Sequence, residues 1–188
     1  MKQAGIGIVI PVYNRERELR RTFDSVVAQT YRPIHVVLVD NGSTDGSLAL
    51  CRELKGAYET DDFRITVVEE AKRGPSAARN RGLTCVTEEF VAFLDSDDEY
   101  IPEAVSLYMQ AFESNSSACT IRLIPEQGKP YSAKAVFSNR VEPHLFHSTL
   151  GTVRYAVRTA VVRAVGGWPE DYMRWEDWGL GIKLLLFT

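Results

Sequence analysis

The sequence predicts an α/β fold with a doubly wound, mostly parallel sheet and helices on both of its faces. Short apolar runs alternate with amphipathic segments through the first 115 residues, and the connections between them are short. Continuous apolar runs are typical of parallel strands buried on both faces, and β-α repetition favours parallel crossovers. Polar sequences follow three of these runs directly, where open α/β sheets bind their ligands.

Four strands and four helices are predicted in this first half. The strands are the apolar runs at 6–10, 36–39, 65–68 and 90–94. The helices have apolar residues at helical spacing and cover 15–29, the neighbourhood of Leu48 to Leu54, 77–83 and a segment that begins near Pro102.

The pattern is looser after Asn115. Strands are predicted over 118–124 and 131–137, mixed strand and helix over 155–165, and a helix over 176–187. Because no low-complexity linker separates the halves, we expect one domain over residues 1–188, with lobes 1–115 and 116–188.

Composition excludes several classes of protein. The chain has 188 residues, 45% hydrophobic content and a net charge of −3, so it lacks the basic excess that nucleic-acid binding needs. Its three cysteines form no CxxC pair, which favours reduced thiols in a cytoplasmic protein. No apolar run approaches the ~20 residues of a membrane span, although work at the inner face of the cell membrane remains compatible with the sequence.

The acidic run Asp95-Ser96-Asp97-Asp98 follows the fourth predicted strand. Carboxylates at alternate positions beyond a strand can converge on one hard cation, and Mg²⁺ or Mn²⁺ is typically held by one or two carboxylates together with substrate phosphates. Such a cation would neutralise charge on a diphosphate leaving group. The alternative is an acidic cluster that favours the dipole of the helix near Pro102.

The ends of the first two strands carry the other polar sequences, 11–14 and 40–43. Tyr13 can stack on a nucleotide base or be a half-buried aromatic at a turn, and Asn14 can cap the next helix. Asp40 and Asn41 can accept from a base N–H or a ribose hydroxyl, or they can form a turn with an N-cap.

Two further segments carry charged candidates. Residues 74–82 open a helix with small residues, and Arg79 or Arg73 can reach a phosphate or be solvated. This segment lacks the P-loop pattern, and the first strand lacks the glycines of a dinucleotide-binding turn. Residues 175–178 place two carboxylates between indoles, as a general base or as the acidic first turn of a helix. His144 and His147 have no third metal ligand at suitable spacing, so we expect them to be structural or exposed.

Taken in order, these motifs closely resemble glycosyltransferase family 2, whose members have the three-layer α/β/α GT-A fold of nucleotide-diphosphosugar transferases. The resemblance spans residues 6 to 185. It is carried by the stretches 10–14, 39–46, 74–82, 93–98 and 176–178.

The resemblance implies an inverting glycosyltransferase that moves a sugar from a nucleotide-diphosphate sugar, commonly a UDP-sugar, to an acceptor hydroxyl in polysaccharide or glycan synthesis. It makes 1–115 the nucleotide-sugar half and 116–188 the acceptor half, with a glycan, lipid-linked or small-molecule acceptor. Asp97 would ligate Mn²⁺ or Mg²⁺ with Asp95, which would also approach the ribose, and Asp177 would be the general base. The sugar-nucleotide site would comprise Pro11, Tyr13, Asn14, Asp40, Asn41, Arg79 and Asp95.

The sequence departs from the family pattern at three positions. Asn41 stands where many members have a second Asp, which makes a uracil preference less secure. Gly179 and Gly181 replace an acidic and an aromatic residue after the 176–178 motif. These glycines favour the alternative of a sugar-nucleotide-binding module without activity, as part of a polysaccharide-assembly complex.

Overall fold

The computed structural model describes residues 3–126, 133–137, 152–171 and 175–187. Within them seven strands form one sheet: β1 (Ile6–Val12), β2 (Ile34–Asp40), β3 (Phe63–Glu69), β4 (Phe90–Phe93), β5 (Thr120–Pro125), β6 (Ala133–Phe137) and β7 (Tyr155–Arg158). The helices are α1 (Leu19–Val27), α2 (Ser47–Tyr58), α3 (Pro75–Cys85), α4 (Ala104–Ser114), α5 (Thr159–Ala164) and α6 (Glu176–Phe187). A 3-10 turn, Thr152–Arg154, precedes β7.

The strand order is β3-β2-β1-β4-β7-β5-β6. β1 pairs in parallel with both β2 and β4, and β2 pairs in parallel with β3. The pairings β4-β7, β7-β5 and β5-β6 are antiparallel, so β5 again runs in the direction of β4. The predicted doubly wound, mostly parallel sheet is confirmed. Because β2 and β3 lie on one side of β1 and β4 lies on the other, the topological switch point is between β1 and β4.

A hydrophobic cluster lies on each face of the sheet, because parallel strands buried on both sides send alternate side chains to opposite faces. Ile8 and Ile10 of β1 pack with α1, α2 and α4 on one face. Val9 of the same strand packs with α3, α5 and α6 on the other. This arrangement is the predicted three-layer α/β/α architecture.

α3 lies unusually close to the sheet. A Cβ at Gly82 would stand 2.3 Å from Val9 Cγ1 and 3.1 Å from Val39 Cγ2, so only glycine allows this approach. The helix begins with Pro75, whose fixed φ suits the first helical position. α3 is therefore a rigid support for the side chains that it directs toward the carboxyl ends of β1 and β4.

The helix predicted over 15–29 was placed too early, since α1 begins at Leu19. The backbone N–H groups of Arg15 and Glu16 donate instead to Ser47 Oγ (2.8 Å) and Asp45 Oδ2 (3.2 Å) of the next connection. The other predicted elements agree with the structure to within a few residues. His144, His147 and residues 131–132 lie outside the described residues.

Candidate functional site

A cleft of about 640 Å³ opens at the carboxyl ends of the neighbouring parallel strands β1 and β4. Its wall combines the end of β1, the residue after β2, the loop after β4 and the starts of α3 and α6. The lining residues are Pro11, Val12, Tyr13, Arg15, Asn41, Arg73, Gly74, Pro75, Ala78, Arg79, Asp95, Ser96, Asp97 and Glu176. Ligands of open α/β sheets bind at this kind of switch point.

The structure brings most of the predicted site residues to this cleft, namely Pro11, Tyr13, Asn41, Arg79, Asp95 and Asp97. Asp40 is 2% exposed and lies behind the wall. Asn14 lies between two lining residues and Asp177 directly follows another, Glu176. Arg15, which directly follows the 10–14 motif, also lines the cleft, as does Glu176, one of the two carboxylates predicted between the indoles of residues 175–178.

The acidic loop after β4 concentrates negative charge. Burial, and then the charges of Asp95 and Asp97, raise the pKa of Asp98. Arg15 Nη2 lies 3.3 Å from Asp97 Oδ2, and Arg21 Nη2 donates to the carbonyl oxygen of Asp97 (3.1 Å).

Within the described ranges, no group of three His, Cys, Asp or Glu residues is arranged to hold a metal ion. A Mg²⁺ or Mn²⁺ ion that works on phosphates takes only one or two carboxylates from the protein, and its other ligands are waters and phosphate oxygens. Asp95 and Asp97 both line the cleft. Their oxygens are the hard ligands that such an ion prefers, so the residues present fit it.

An exposed aromatic ring and an arginine lie on one side of the cleft. Tyr13 is 48% exposed, and the Arg73 guanidinium lies 4.8 Å from the centroid of its ring. Arg73 Nη1 also donates weakly to the carbonyl oxygen of Asn41 (3.4 Å). A flat group entering here would meet a π face and a cation.

The Asn41 side chain ties two loops together. Its Nδ2 donates to the carbonyl oxygens of Glu70 (3.0 Å) and Lys72 (2.8 Å), and its Oδ1 accepts from the N–H of Gly74 (2.8 Å). Because both amide protons and the oxygen have partners, Asn41 fixes the entry to α3.

Asp40 and Asn14 organise the loops behind the cleft wall. Asp40 Oδ2 accepts from the N–H groups of Gly42 and Ser43, both at 3.1 Å, whereas Oδ1 is buried without a partner among the described residues. Asn14 has a positive φ of 51°, and its Oδ1 accepts from the N–H of Thr44 (2.8 Å). These bonds hold the loops after β1 and β2 in a fixed relation.

Arg79 lies at the floor of the cleft and is 4% exposed. Its Nη2 lies 2.6 Å from Asp95 Oδ1, and its Nη1 lies 3.4 Å from Glu176 Oε1. The guanidinium stacks 4.3 Å from the centroid of the Trp168 ring. The acidic loop and the start of α6 therefore meet at a single buried cation.

Asp177 lies in the first turn of α6 and is half-buried. Its Oδ1 accepts from the N–H of Trp178 (2.8 Å). Burial raises the pKa of the neighbouring Tyr155, the positive charge of Arg79 opposes this rise, and Asp177 and Asp95 add to it. These three charges thus act electrostatically on one buried phenol.

Fold and site together define an α/β protein with an open cleft at a topological switch point, the place where open α/β sheets bind their ligands. Residues 7–162 match the model of Glycosyl transferase family 2, and the chain belongs to that family. It is 44% identical to the glycosyltransferase GlyA of Streptococcus pneumoniae over 93 residues, which are 50% of this chain and 13% of GlyA.

Solved structures share the fold. TarS 1-349 of S. aureus in complex with UDP-GlcNAc has a TM-score of 0.72 at 24% identity, covering 97% of this chain and 53% of that one. The mannosyltransferase PcManGT of Pyrobaculum calidifontis, in complex with GDP-Man and Mn²⁺, has a TM-score of 0.76 at 20% identity, covering 97% and 52%. The predicted GT-A fold is confirmed, and the chain spans about half of these proteins.

None of the helices formed by the described residues combines the length and apolar character that crossing a bilayer requires. The cytoplasmic location and the attachment to the inner face of the membrane stay predictions.

Proposed function

We propose that this chain is the catalytic region of an inverting glycosyltransferase that takes a sugar from a nucleoside-diphosphate sugar, with UDP-sugar as the first candidate. The acceptor would be a hydroxyl in glycan or polysaccharide synthesis. The observation that carries the proposal is the cleft at the β1–β4 switch point, where aromatic, acidic and basic side chains converge in a family 2 chain.

The nucleoside would lie against Tyr13, whose exposed ring offers a stacking face, with the Arg73 guanidinium supplying hydrogen-bond donors to base oxygens. Asp40 Oδ1 is buried behind the cleft wall without a partner among the described residues, and its acceptance of a base or ribose hydrogen stays a prediction. Asn41 contributes through the backbone and the loop it fixes, because its side chain is committed to residues 70, 72 and 74. The bound nucleotides of the two solved relatives contain different bases, so Arg73 and Asp40 are where selectivity would arise.

The diphosphate would lie over the acidic loop. Asp97, with Asp95, would hold Mg²⁺ or Mn²⁺, and that ion supplies neutralisation of the charge that grows on the leaving diphosphate. Arg15 lies beside Asp97 and pairs with its carboxylate. Once that carboxylate no longer occupies the Arg15 guanidinium, the guanidinium would bind a phosphate oxygen. The direct contact of Arg79 with a phosphate stays a prediction.

Asp177 would be the general base. A half-buried carboxylate at the edge of the cleft can take the proton of an acceptor hydroxyl as that oxygen attacks the anomeric carbon. The bond to the diphosphate breaks on the opposite side, which inverts the configuration. In this arrangement Glu176 faces the cleft floor and Arg79, and Asp177, the next residue of α6, would act on the acceptor.

The test separates binding from turnover. In Asp177→Asn we expect UDP affinity in Mn²⁺ to stay unchanged and hydrolysis or transfer of the UDP-sugar to disappear, because the amide cannot accept the proton. Asp171→Asn, which neutralises an exposed carboxylate of the same lobe, is the matched control and should retain both. Normal turnover by Asp177→Asn would overturn the assignment of the base.

A second candidate is a sugar-nucleotide-binding module without activity, which Gly179 and Gly181 favour. Both glycines are buried in α6. The acidic and aromatic side chains of the family pattern, if present at these positions, would therefore have to fit into the protein interior. Hydrolysis of any UDP-sugar in Mn²⁺ by the purified chain would exclude this candidate. Tight binding of UDP-sugars without hydrolysis or transfer would support it.

A further inference from the structure

Arg79 is a buried charge that connects two parts of the chain far apart in sequence. Its guanidinium is 4% exposed. Its two carboxylate partners are Asp95, 16 residues away, and Glu176, 97 residues away. Because an unpaired buried charge is strongly unfavourable, the guanidinium draws the loop after β4 and the start of α6 to one point.

The surroundings of the guanidinium leave it little freedom to move. Trp168, which is 1% exposed, lies under its face, and Phe93 packs edge-on against that indole at 5.1 Å. Asn80, the next residue of α3, donates to the carbonyl oxygen of Trp168 (3.0 Å) and accepts from its N–H (2.8 Å). The ring and the helix are thus fixed to each other, so adjustment falls to the two carboxylates.

The two carboxylates belong to the two sides of the proposed site, one to the sugar-nucleotide side and one to the acceptor side. Asp95 belongs to the acidic loop on the sugar-nucleotide side. Glu176 begins α6 and directly precedes Asp177, and Asp177 acts electrostatically on the same buried phenol, Tyr155, as do Arg79 and Asp95. A change at Asp95 can therefore reach the first turn of α6 through one side chain.

We propose that Arg79 is a positioning residue that transmits occupancy of the sugar-nucleotide side of the cleft to the first turn of α6. The inference rests on the function proposed above. When Asp95 turns toward a bound sugar nucleotide, Glu176 is the carboxylate that the guanidinium keeps among the described residues. The first turn of α6, with Asp177, is then held more tightly, so occupancy of the sugar-nucleotide side orders the acceptor side.

Hydrogen exchange tests this link directly. UDP binding in Mn²⁺ is measured first by calorimetry, and the exchange of the backbone amides of residues 176–181 is then compared with and without saturating UDP. In the wild type we expect exchange to slow by at least about fivefold, the lower end of ordinary coupling between two sites. In Arg79→Met, compared at a UDP concentration that saturates the variant, the slowing should disappear.

Three further variants complete the design. Arg79→Lys keeps the charge without the fork that reaches two carboxylates, so it should retain part of the response. Lys72→Met removes a cation from an exposed pair with Glu170 that also joins distant segments, and it should keep the full response. If Arg79→Met does not fold, Glu176→Gln removes the other end of the link at a side chain that is 22% exposed, and it should also lose the response.

Each contrary outcome is distinguishable. The inference is overturned if UDP binds the wild type without slowing the exchange, or if Arg79→Met responds as the wild type does. A wild type that binds no UDP in the calorimeter contradicts the proposed function itself, and this inference with it.

Discussion

The two ends of the parallel strands carry similar charged residues but differ in what those residues bond to. At the amino ends His35 is 3% exposed and lies 2.9 Å from both Glu88 Oε2 and Thr66 Oγ1. Arg64 Nη2 lies 3.0 Å from the other oxygen of Glu88. At the carboxyl ends Asp97 lies in the cleft and is 49% exposed, and its partner Arg15 is 39% exposed.

The backbone is strained at the carboxyl ends of the strands, beside the cleft. Within the described ranges the non-glycine residues with positive φ are Asn14 (51°) and Trp175 (68°), and both adjoin lining residues of the cleft. Strained backbone persists where its surroundings hold it, often at functional sites. Exposed charge alone therefore does not mark a site, since Arg64 at the amino ends is 51% exposed and Asp97 at the carboxyl ends is 49% exposed. The carboxyl ends differ in having the flanks with positive φ and a cleft of about 640 Å³, against about 320 Å³ at the amino ends.

The largest expected effect is on binding at the carboxyl ends. Asp97→Ala should weaken UDP binding in Mn²⁺ by about 100-fold, the upper end of what even an outer-sphere partner of a metal contributes. Its stability should change little, since the ion pair with Arg15 is exposed. Calorimetric titration and thermal unfolding measure the two quantities. An equal loss of UDP affinity in Glu88→Gln, a substitution at the amino ends of the strands, would contradict the functional difference between the two ends.

The second prediction concerns α3, the helix that supports the cleft. Gly82→Ala should destabilise the protein by about 2 kcal/mol, because the added methyl overpacks the approach to Val9. Gly56→Ala makes the same change in α2, where no atom lies within 4 Å of the new Cβ, and should stabilise by up to about 1 kcal/mol. Urea unfolding compares them, and an equal gain in both would mean that α3 is not held tightly.

A third, smaller effect belongs to the amino ends. Burial acts to raise the pKa of Glu88, but the hydrogen bond and charge of His35 and the backbone N–H groups outweigh it and lower the pKa to about 2 from its usual 4.5. Glu88→Gln should therefore cost roughly 1 kcal/mol near neutral pH.

The sign of the pH dependence follows from that lowered pKa. The ionised Glu88 contributes its stability above the unfolded-state pKa, and the contribution is lost as the pH falls from about 4.5 through about 2. Urea unfolding over this range should show the wild type losing its advantage over Glu88→Gln. A difference that stays constant with pH would show that ionisation of Glu88 does not stabilise the fold.

The smallest effect tests strain beside the cleft. Trp175 is 69% exposed, so its indole contributes little packing, whereas its left-handed backbone is costly for a residue with a Cβ. Trp175→Asn should stabilise by about 0.5–1 kcal/mol, since asparagine tolerates this conformation. Trp175→Ala is the control, because it removes the indole but alanine does not tolerate the left-handed conformation as asparagine does. Equal stability of the two variants would argue against strain at this position.

Much of the fold can be predicted from sequence because the apolar runs are local signals. Val36 to Val39 reads as a buried strand without knowledge of its neighbours, and β2 contains it. The start of α1 could not be placed, because the hydrogen bond that competes for the N–H of Arg15 comes from Ser47, 32 residues away.

The site, like the fold, has one part that the sequence predicts and another that depends on distant contacts. Asp95 and Asp97 were predicted to line a cleft because the carboxyl ends of parallel strands converge at one edge of the sheet, and they do. The burial of Asp40 and the pairing of Arg79 with Glu176 depend on how distant segments pack. No spacing in the sequence encodes such contacts.

The central claim is that the cleft at the carboxyl ends binds a nucleoside diphosphate together with a divalent cation. Thermal unfolding of the purified chain with UDP, GDP, CDP or ADP, each with and without Mn²⁺, tests it most directly. We predict that UDP raises the melting temperature only when Mn²⁺ is present, with about 2.7 kcal/mol of stabilisation at 100 times the dissociation constant. The absence of Mn²⁺-dependent stabilisation by any of these nucleotides would contradict the claim.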